Sequence, residues 1–218
     1  MKILVVAKSP EPGRVKTRLC PPLTPVQAAE VAQAALADTL DAVRSSAANE
    51  CVIALDGRPG PWLPEGFTVI AQRGTTFAER LAAAWADCGG PAVQIGMDTP
   101  QVTSALLDDA LETLADNDSV LGLARDGGWW ALGLHTPHES AFAGVPMSHR
   151  TTSLHQRRVL RTLGLHPALL APLVDVDTWD DAVSVAAAVP GGRFGRLVHD
   201  LDRRATSSDD HVRPGRAS

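Results

Sequence analysis

The sequence predicts an α/β protein with a mostly parallel central sheet that is covered by helices on both faces. Short apolar runs alternate along the chain with longer alanine- and leucine-rich segments, which is the order of strands and helices in such folds. The first run, residues 2–8, is continuously apolar between its terminal lysines, as is typical of a parallel strand buried on both faces. Threonines at helix-cap positions precede several of the longer segments, so both kinds of element carry local signals.

Seven short segments have the composition of strands. Most are rich in valine, isoleucine and leucine, and glycine or proline follows several of them. In chain order they are residues 2–8, 51–56, 67–71, 92–96, 119–124, 129–134 and 173–177. A turn with two glycines separates the fifth from the sixth, so we expect a hairpin or a local reversal of the sheet at that point.

The helices are predicted from their caps and from the spacing of their apolar residues. Thr24 before Pro25 is typical of a cap followed by proline in the first helical position, and Thr76 with Glu79 has the spacing of a capping box. In chain order the predicted helices are residues 25–44, 76–88, 104–114, 152–163 and 179–189, followed by an amphipathic basic segment, residues 193–201.

The composition is that of a globular protein and argues against several classes of function. The chain has 218 residues, 44% of them hydrophobic, and a net charge of −5, so we expect one domain over residues 1–202 and a disordered polar tail over residues 203–218. The mild acidity argues against nucleic acid as a partner, and no apolar run approaches the ~20 residues of a membrane helix. No signal peptide is recognisable, and the three cysteines lack metal-ligand spacing, so we expect a cytoplasmic protein.

Cations are concentrated at the end of the first predicted strand. Lys8 ends the strand, and Gly13, Arg14, Lys16 and Arg18 follow in the loop. In open α/β sheets ligands bind beyond the carboxyl ends of the strands, and alternating cations suit a polyanion such as a diphosphate. Gly13 would let the backbone approach that ligand closely. An ordinary solvated loop is the alternative, but the position after the first strand favours phosphate binding by a loop that lacks the P-loop pattern.

Aspartates follow two other predicted strands. Asp98 comes just after residues 92–96, where its carboxylate could hold Mg²⁺ or Mn²⁺ bridging a diphosphate and so take part in catalysis. The alternative is an aspartate that caps the turn before Pro100. Asp175 or Asp177 could complete the metal site, although both also suit helix capping. Asp177 is favoured because it lies at the carboxyl end of its predicted strand.

The turn between the fifth and sixth strands is dense in glycine and tryptophan. Gly127 and Gly128 allow a close backbone approach to a ligand, and the indole of Trp129 could stack on a sugar or a base. The alternative is a hairpin whose tryptophans fill the core, and strand alternation predicts that Trp129 and Trp130 face opposite sides.

The loop after the third strand carries a weaker signal. Gln72 and Gly74 precede the second helix, where amide and backbone groups could contact a nucleobase edge. Taken alone, this segment is equally consistent with an ordinary loop.

Four segments together, in the same order, resemble the motifs of one family. They are AKSPEPGRVKTRL at residues 7–19, GMDTP at residues 96–100, DGGWWALGL at residues 126–134 and DVDTWDD at residues 175–181. The sequence thus resembles the DUF2064 proteins, bacterial GT-A-type transferases that are described as glycosyltransferase-like and are related to phospholactate guanylyltransferases. The resemblance covers residues 2–189.

The resemblance implies a single-domain, Rossmann-like GT-A fold of the nucleotide-diphospho-sugar transferase superfamily. In that fold the first strand and its loop hold the nucleotide, and a divalent metal bridges the diphosphate. Carried over to this sequence, Arg14, Lys16 and Arg18 bind phosphates, Asp98 takes the position of the metal-binding aspartate, and Asp177 is the second metal ligand.

The sequence departs from the family pattern at three places. Thr99 and Pro100 follow Asp98, so the Asp-x-Asp of many GT-A enzymes is absent. Trp129 stands where the family has tyrosine, and residues 147–150 replace a Trp-Ser-Thr stretch on the acceptor side.

Three functions follow as alternatives. The first is metal-dependent glycosyl transfer from a nucleotide sugar to a small acceptor, with Mg²⁺ or Mn²⁺ as cofactor and Asp126, by its location, as the base. The second is nucleotidyl transfer from an NTP to a phosphorylated acceptor with release of pyrophosphate. The third is nucleotide binding without catalysis. The sequence leaves the oligomeric state open.

Overall fold

The computed structural model describes residues 1–209, and within this part of the chain seven strands form one sheet. The strands are β1 (Lys2–Lys8), β2 (Glu50–Asp56), β3 (Phe67–Ala71), β4 (Ala92–Gly96), β5 (Ser119–Ala124), β6 (Trp129–Leu134) and β7 (Ala168–Leu173). Their order across the sheet is β3-β2-β1-β4-β6-β5-β7.

Strand β6 reverses the direction of an otherwise parallel sheet. It is antiparallel to both β4 and β5, whereas the pairs β1–β2, β1–β4, β2–β3 and β5–β7 are parallel. The predicted mostly parallel sheet and the predicted reversal at the glycine-rich turn are therefore confirmed. The reversal brings the β5–β6 turn to the sheet edge where β1 and β4 end.

Six helices are found among residues 1–209, and threonine caps begin four of them. They are α1 (Pro25–Arg44), α2 (Phe77–Cys88), α3 (Ser104–Asp116), α4 (Thr152–Thr162), α5 (Trp179–Ala188) and α6 (Arg193–Asp209). The hydroxyl oxygens of Thr24, Thr76, Thr103 and Thr178 accept hydrogen bonds from backbone N–H groups in the first turns of α1, α2, α3 and α5.

Side-chain alternation along β1 builds a separate core on each face of the sheet. Ile3 and Val5 pack with α1 and α3, whereas Leu4 and Val6 pack with α2 and α4. All four side chains are buried, which explains the continuous apolar run.

A third apolar cluster lies between α1 and the last two helices. Val31 of α1, Val185 of α5 and Phe194 of α6 belong to it, and Leu19 and Val176 extend it to the loops at the sheet edge. The cluster therefore links the carboxyl-terminal helices to the loop after β1 and to the loop after β7.

The last predicted strand is wrong in position. Residues 173–177 were expected to form it, but β7 is Ala168–Leu173 and the chain continues beyond it as a loop. Pro172 makes this segment look unlike a strand in the sequence, because proline cannot donate a hydrogen bond to a neighbouring strand. The residue is tolerated because β7 is an edge strand that pairs only with β5.

Helix α6 continues beyond the amphipathic segment predicted from the sequence. It ends at Asp209, inside the segment 203–218 that is predicted to be a disordered tail, and residues 210–218 lie outside the described residues. No helix within residues 1–209 is both long and apolar enough to span a bilayer.

Candidate functional site

A cleft of about 1060 Å³ lies where β1 and β4 end and where the β5–β6 turn begins. Its lining includes Lys8 at the end of β1, the loop after β1, Asp98 after β4, Asp126 in the turn and Asp175 after β7. Segments that are far apart in the sequence therefore meet at one edge of the sheet, as the parallel topology requires. Most of the predicted site residues line this cleft.

Each cation of the loop after β1 has a carboxylate partner. The Arg18 guanidinium lies 3.0 Å from Asp177, and the Arg14 guanidinium lies 3.1 Å from Glu11 and 3.6 Å from Asp56. Both arginine side chains are more than half exposed, so solvent screens these pairs and a phosphate could compete for them.

Lys16 is held much more tightly than the two arginines. Its Nζ atom lies 2.5 Å from Asp98 Oδ1 and also donates a hydrogen bond to the carbonyl oxygen of Val176. Only 6% of its side chain is exposed, and its backbone lies in the left-handed region, with φ of 49°. A residue with a Cβ adopts this conformation at a cost that its surroundings must offset.

Besides Asp177, the carboxylates of Asp98, Asp126 and Asp175 line the cleft. Burial, followed by the negative charges of Asp126 and Asp98, raises the pKa of Asp175 to about 7, whereas Lys16 opposes the shift. The carboxylates of Asp98, Asp126 and Asp175 therefore lie close enough to repel one another, and a divalent cation bound among them would relieve that repulsion.

The donor set fits a hard cation that keeps water or phosphate ligands. Carboxylate oxygens are the ligands that Mg²⁺ and Mn²⁺ prefer, and Mg²⁺ commonly uses one or two of them. Within residues 1–209 no three carboxylate, imidazole or thiol groups form a preassembled metal site. Oxygen atoms of a bound diphosphate would have to complete the coordination.

The two acidic segments are joined through Val176. Its backbone N–H donates to the carbonyl oxygen of Asp98 at 2.9 Å, and its side chain is fully buried in the third apolar cluster. Asp177 forms an ion pair with Arg18, whereas the pKa of Asp175 is raised by burial and then by the nearby negative charges of Asp126 and Asp98. The loop after β7 therefore brings both Asp175 and Asp177 to the cleft that Asp98 lines, and either could accompany Asp98 at a metal ion.

The β5–β6 turn is built around Asp126. Its Oδ1 atom accepts the N–H of Gly128 at 2.7 Å, which fixes the turn and leaves the carboxylate exposed at the cleft. Gly127 has φ of 95°, and a Cβ there would lie 2.0 Å from the carbonyl oxygen of Arg150. Gly127 thus serves close packing of the turn against the loop before α4, and it does not itself line the cleft.

The two tryptophans of β6 differ in their surroundings. Trp130 is 3% exposed, and its indole N–H donates to the carbonyl oxygen of Ala171. Trp129 is half-buried, lies with its ring centroid 6.5 Å from that of Phe142, and has an indole N–H that is buried without a hydrogen-bond partner. Both rings reach the cleft lining, with Trp130 belonging to the core on one face and Trp129 packing against the core on the other.

The remaining predicted binding residues occupy different positions. Gln72 lines the cleft, but its amide nitrogen already donates to the carbonyl oxygens of Ala7 and Ala54. Gly13 and Gly74 lie outside the lining, and a Cβ at Gly74 would meet the Cβ of Glu79 at 2.7 Å. Gly74 therefore serves the start of α2.

Four further basic side chains belong to the cleft, and two of them, Arg80 and Arg125, carry no signal in the sequence. Arg80, Arg125, His149 and Arg150 line the cleft, and none of them forms an ion pair within residues 1–209. The Nε atom of Arg80 is buried without a partner, while the guanidinium carbon lies 5.6 Å from the Phe77 ring centroid. The only sequence signal was the basic pair at residues 149–150.

A family model described as "Uncharacterized protein conserved in bacteria (DUF2064)" matches residues 24–149, which is more than half of the chain. The sequence matches no curated protein.

Several solved structures share the fold. A protein from Desulfovibrio desulfuricans G20, named as a candidate nucleotide-diphospho-sugar transferase, is 25% identical, with a TM-score of 0.84 over 93% of this chain and 95% of its own. Rv0371c from Mycobacterium tuberculosis H37Rv is 21% identical, with a TM-score of 0.53 over 83% and 96%. The 2-C-methyl-D-erythritol 4-phosphate cytidylyltransferase of Thermus thermophilus is 19% identical, with a TM-score of 0.52 over 86% and 98%. The predicted GT-A-like fold class is thereby confirmed.

Proposed function

The chain belongs to the DUF2064 family, and from that premise we propose that it is a metal-dependent transferase whose donor is a nucleotide diphosphate compound. The observation that carries the proposal is the pairing of a cationic loop with a carboxylate cluster across one cleft at the carboxyl ends of β1 and β4. The likeness to a protein named as a candidate nucleotide-diphospho-sugar transferase supports glycosyl transfer as the reaction.

In this proposal the arginines of the cleft bind the phosphates of the donor, and its aspartates bind the metal ion. Arg14 and Arg18 leave their exposed carboxylate partners and bind the phosphates of the donor. Asp98, with Asp175 or Asp177, holds Mg²⁺ or Mn²⁺. When bound, the metal ion supplies positive charge to the leaving diphosphate.

Two residues of the β5–β6 hairpin are proposed to act on the acceptor side. The carboxylate of Asp126 is exposed in the cleft on a fixed turn, which suits a base that accepts the acceptor's proton. The half-buried indole of Trp129 lines the cleft and offers an apolar aromatic surface to a sugar.

A binding screen tests the donor class. Thermal-shift titrations with UDP, GDP and CDP and with the corresponding triphosphates, each with and without Mn²⁺, should show stabilisation by one base series that increases with the metal. Asp98→Asn should remove the metal-dependent part, whereas Asp180→Asn, an exposed aspartate of α5 outside the cleft, should leave it intact. Binding that ignores Mn²⁺ and survives Asp98→Asn would instead support nucleotide binding without catalysis.

Nucleotidyl transfer is the second candidate, and the unpaired basic groups favour it. Arg80, Arg125 and Arg150 add positive charge to the cleft, which suits a phosphorylated acceptor better than a neutral hydroxyl compound. The shared fold with a cytidylyltransferase is compatible with this reaction.

The two reactions release different products. With nucleotide sugars, glycosyl transfer releases a nucleoside diphosphate, while nucleotidyl transfer from an NTP releases pyrophosphate. Pyrophosphate release that requires both an NTP and a phosphorylated acceptor, without turnover of any nucleotide sugar, would reject glycosyl transfer.

A further inference from the structure

Lys16 occupies the acidic side of the cleft in the way a metal ion would. Its ammonium group lies between a carboxylate oxygen of Asp98, at 2.5 Å, and the carbonyl oxygen of Val176. Oxygen atoms of these two kinds are the ligands of hard divalent cations. The lysine side chain is 6% exposed, whereas half of the Asp98 side chain is open to the cleft.

The position of Lys16 is specified by the fold. The residue adopts the left-handed backbone conformation despite its Cβ, and it begins the short 3₁₀ turn Thr17–Leu19, whose Leu19 is fully buried. Non-glycine residues persist in this region only where the surroundings fix them, and such sites cluster at ligand-binding positions. The Asp98 contact is therefore a built feature of the loop.

We propose that Lys16 is a placeholder cation, which neutralises Asp98 in the metal-free protein and moves onto the donor phosphates when a divalent metal ion takes its place. This proposal rests on the proposed function, because it presumes a metal ion and a diphosphate in the cleft. Lys16 is then a positioning residue that couples the binding of the metal to the binding of the donor.

Two observations favour an exchange, in which a metal ion displaces Lys16 from Asp98, over a lysine that replaces the metal ion permanently. Half of the Asp98 side chain stays exposed despite its contact with Lys16, so a hydrated divalent ion can reach this carboxylate from the cleft. The lysine side chain is a flexible four-carbon stem. It also belongs to the same loop as Arg14 and Arg18, so a diphosphate bound by that loop would be a ready alternative partner for the ammonium.

Metal binding without nucleotide is the first test. Mn²⁺ titrations followed by electron paramagnetic resonance should show that Lys16→Met binds Mn²⁺ about tenfold more tightly than the wild type, because no ammonium competes for Asp98. Lys16→Arg should restore weaker binding. Lys2→Met removes another ion-paired lysine, which lies 3.1 Å from Glu50 and outside the cleft lining, and it should leave the Mn²⁺ affinity unchanged.

Nucleotide binding gives the second test. In EDTA, Lys16→Met should bind UDP, GDP or CDP less than about threefold more weakly than the wild type, because Lys16 is then engaged with Asp98 and only the uncompensated Asp98 carboxylate opposes the anion. With saturating Mn²⁺ the variant should bind the preferred nucleotide about tenfold more weakly than the wild type. A merely structural lysine would lower the melting temperature and weaken binding equally in both conditions.

The outcomes separate this proposal from the proposed function. If the wild type binds Mn²⁺ as tightly as Lys16→Met while nucleotides still bind with metal dependence, the placeholder is rejected and the transferase proposal stands. If neither protein binds Mn²⁺ and nucleotides bind regardless, the carboxylates of the cleft do not form a metal site, which rejects both the placeholder and the metal dependence of the proposed transferase. If no nucleotide binds under any condition, the proposed function fails, and the Mn²⁺ titrations still report on Lys16. Should Lys16→Met not fold, Lys16→Gln serves in its place.

Discussion

The guanidinium of Arg18 is more than two thirds exposed, although it lies 3.0 Å from Asp177. Exposed ion pairs of this kind contribute about 0–1 kcal/mol to stability, so Arg18→Ala should shift the melting temperature by only a few degrees. The same change should weaken nucleotide binding, measured by calorimetry, by about tenfold, because a charge-assisted phosphate contact is lost.

Arg73 supplies the matched control for that substitution. It is also exposed and ion-paired, to Asp87 at 2.6 Å, but it lies outside the cleft lining. Arg73→Ala should leave nucleotide affinity unchanged. A large loss of stability in Arg18→Ala at unchanged affinity would show that Arg18 is structural.

The pKa of Asp175 predicts how metal-free stability varies with pH. The folded-state pKa is about 7, above the ordinary 3.8, so between these values the folded protein holds a proton that the unfolded chain releases. The contribution of this group to stability is therefore fully present below about pH 4 and decreases as pH rises toward 7. Asp175→Asn removes this dependence.

Urea unfolding in EDTA at several pH values measures the effect. The free energy of unfolding of Asp175→Asn, relative to the wild type, should increase by at most about 4 kcal/mol between pH 4 and pH 8. Parallel pH curves for the two proteins would contradict the raised pKa.

At the scale of residues, the sequence predicted which loops line the cleft better than it predicted the contacts between their side chains. Lys16 and Asp98 were both predicted at the correct sheet edge, because strand ends locate loops. Their direct contact was not predicted, since it depends on the left-handed backbone at Lys16. Arg80 was missed because the face that a helix turns to a cleft depends on how the helix packs, which a single sequence leaves open.

At the scale of elements, the loop after β7 couples the core to the site. The side chain of Val176 is fully buried between loops and helices, and its backbone groups contact Asp98 and Lys16. Val176→Ala should lower the free energy of unfolding by about 2 kcal/mol, from lost burial and a small cavity, and should also weaken nucleotide binding.

Val185→Ala provides the comparison within the same apolar cluster. Val185 is 4% exposed and belongs to α5, away from the acidic segments. Its replacement should cost similar stability in urea unfolding while leaving nucleotide affinity unchanged. Equal losses of affinity in both variants would mean that Val176 has no special role.

The elements themselves were largely predictable because their signals are local. The capping box at Thr76 and Glu79 is present as predicted, and β1 has the burial expected of its apolar run. The strand β7 was misplaced because its proline contradicts the ordinary strand pattern and is acceptable only at a sheet edge. Whether a strand lies at the edge or in the centre of the sheet depends on the topology of the whole sheet, and the local sequence does not reveal it.

At the scale of the whole molecule, the carboxyl-terminal helix closes the third apolar cluster. Phe194 of α6 is fully buried, and Leu201, at 6% exposure, also belongs to the cluster. Phe194→Ala should therefore lower the free energy of unfolding by about 3–5 kcal/mol, which corresponds to a decrease of roughly 10 °C in the melting temperature in a calorimetric scan.

The family and the fold class were accessible from four short motifs, since these mark the loops at one sheet edge. The predicted resemblance to DUF2064 proteins is confirmed by the family model. The position of β6 between β4 and β5 could not be predicted, because the sequence indicates that a strand is reversed but not which strands are its neighbours.

The pre-paired cations of the loop after β1 also bear on how the protein distinguishes one cellular anion from another. An anion that arrives alone must separate Arg14, Lys16 or Arg18 from carboxylates, and those carboxylates then lose their compensation. A diphosphate that arrives with its own divalent cation brings the replacement charge with it. The cleft should therefore bind a metal-bound diphosphate in preference to free orthophosphate without a steric barrier.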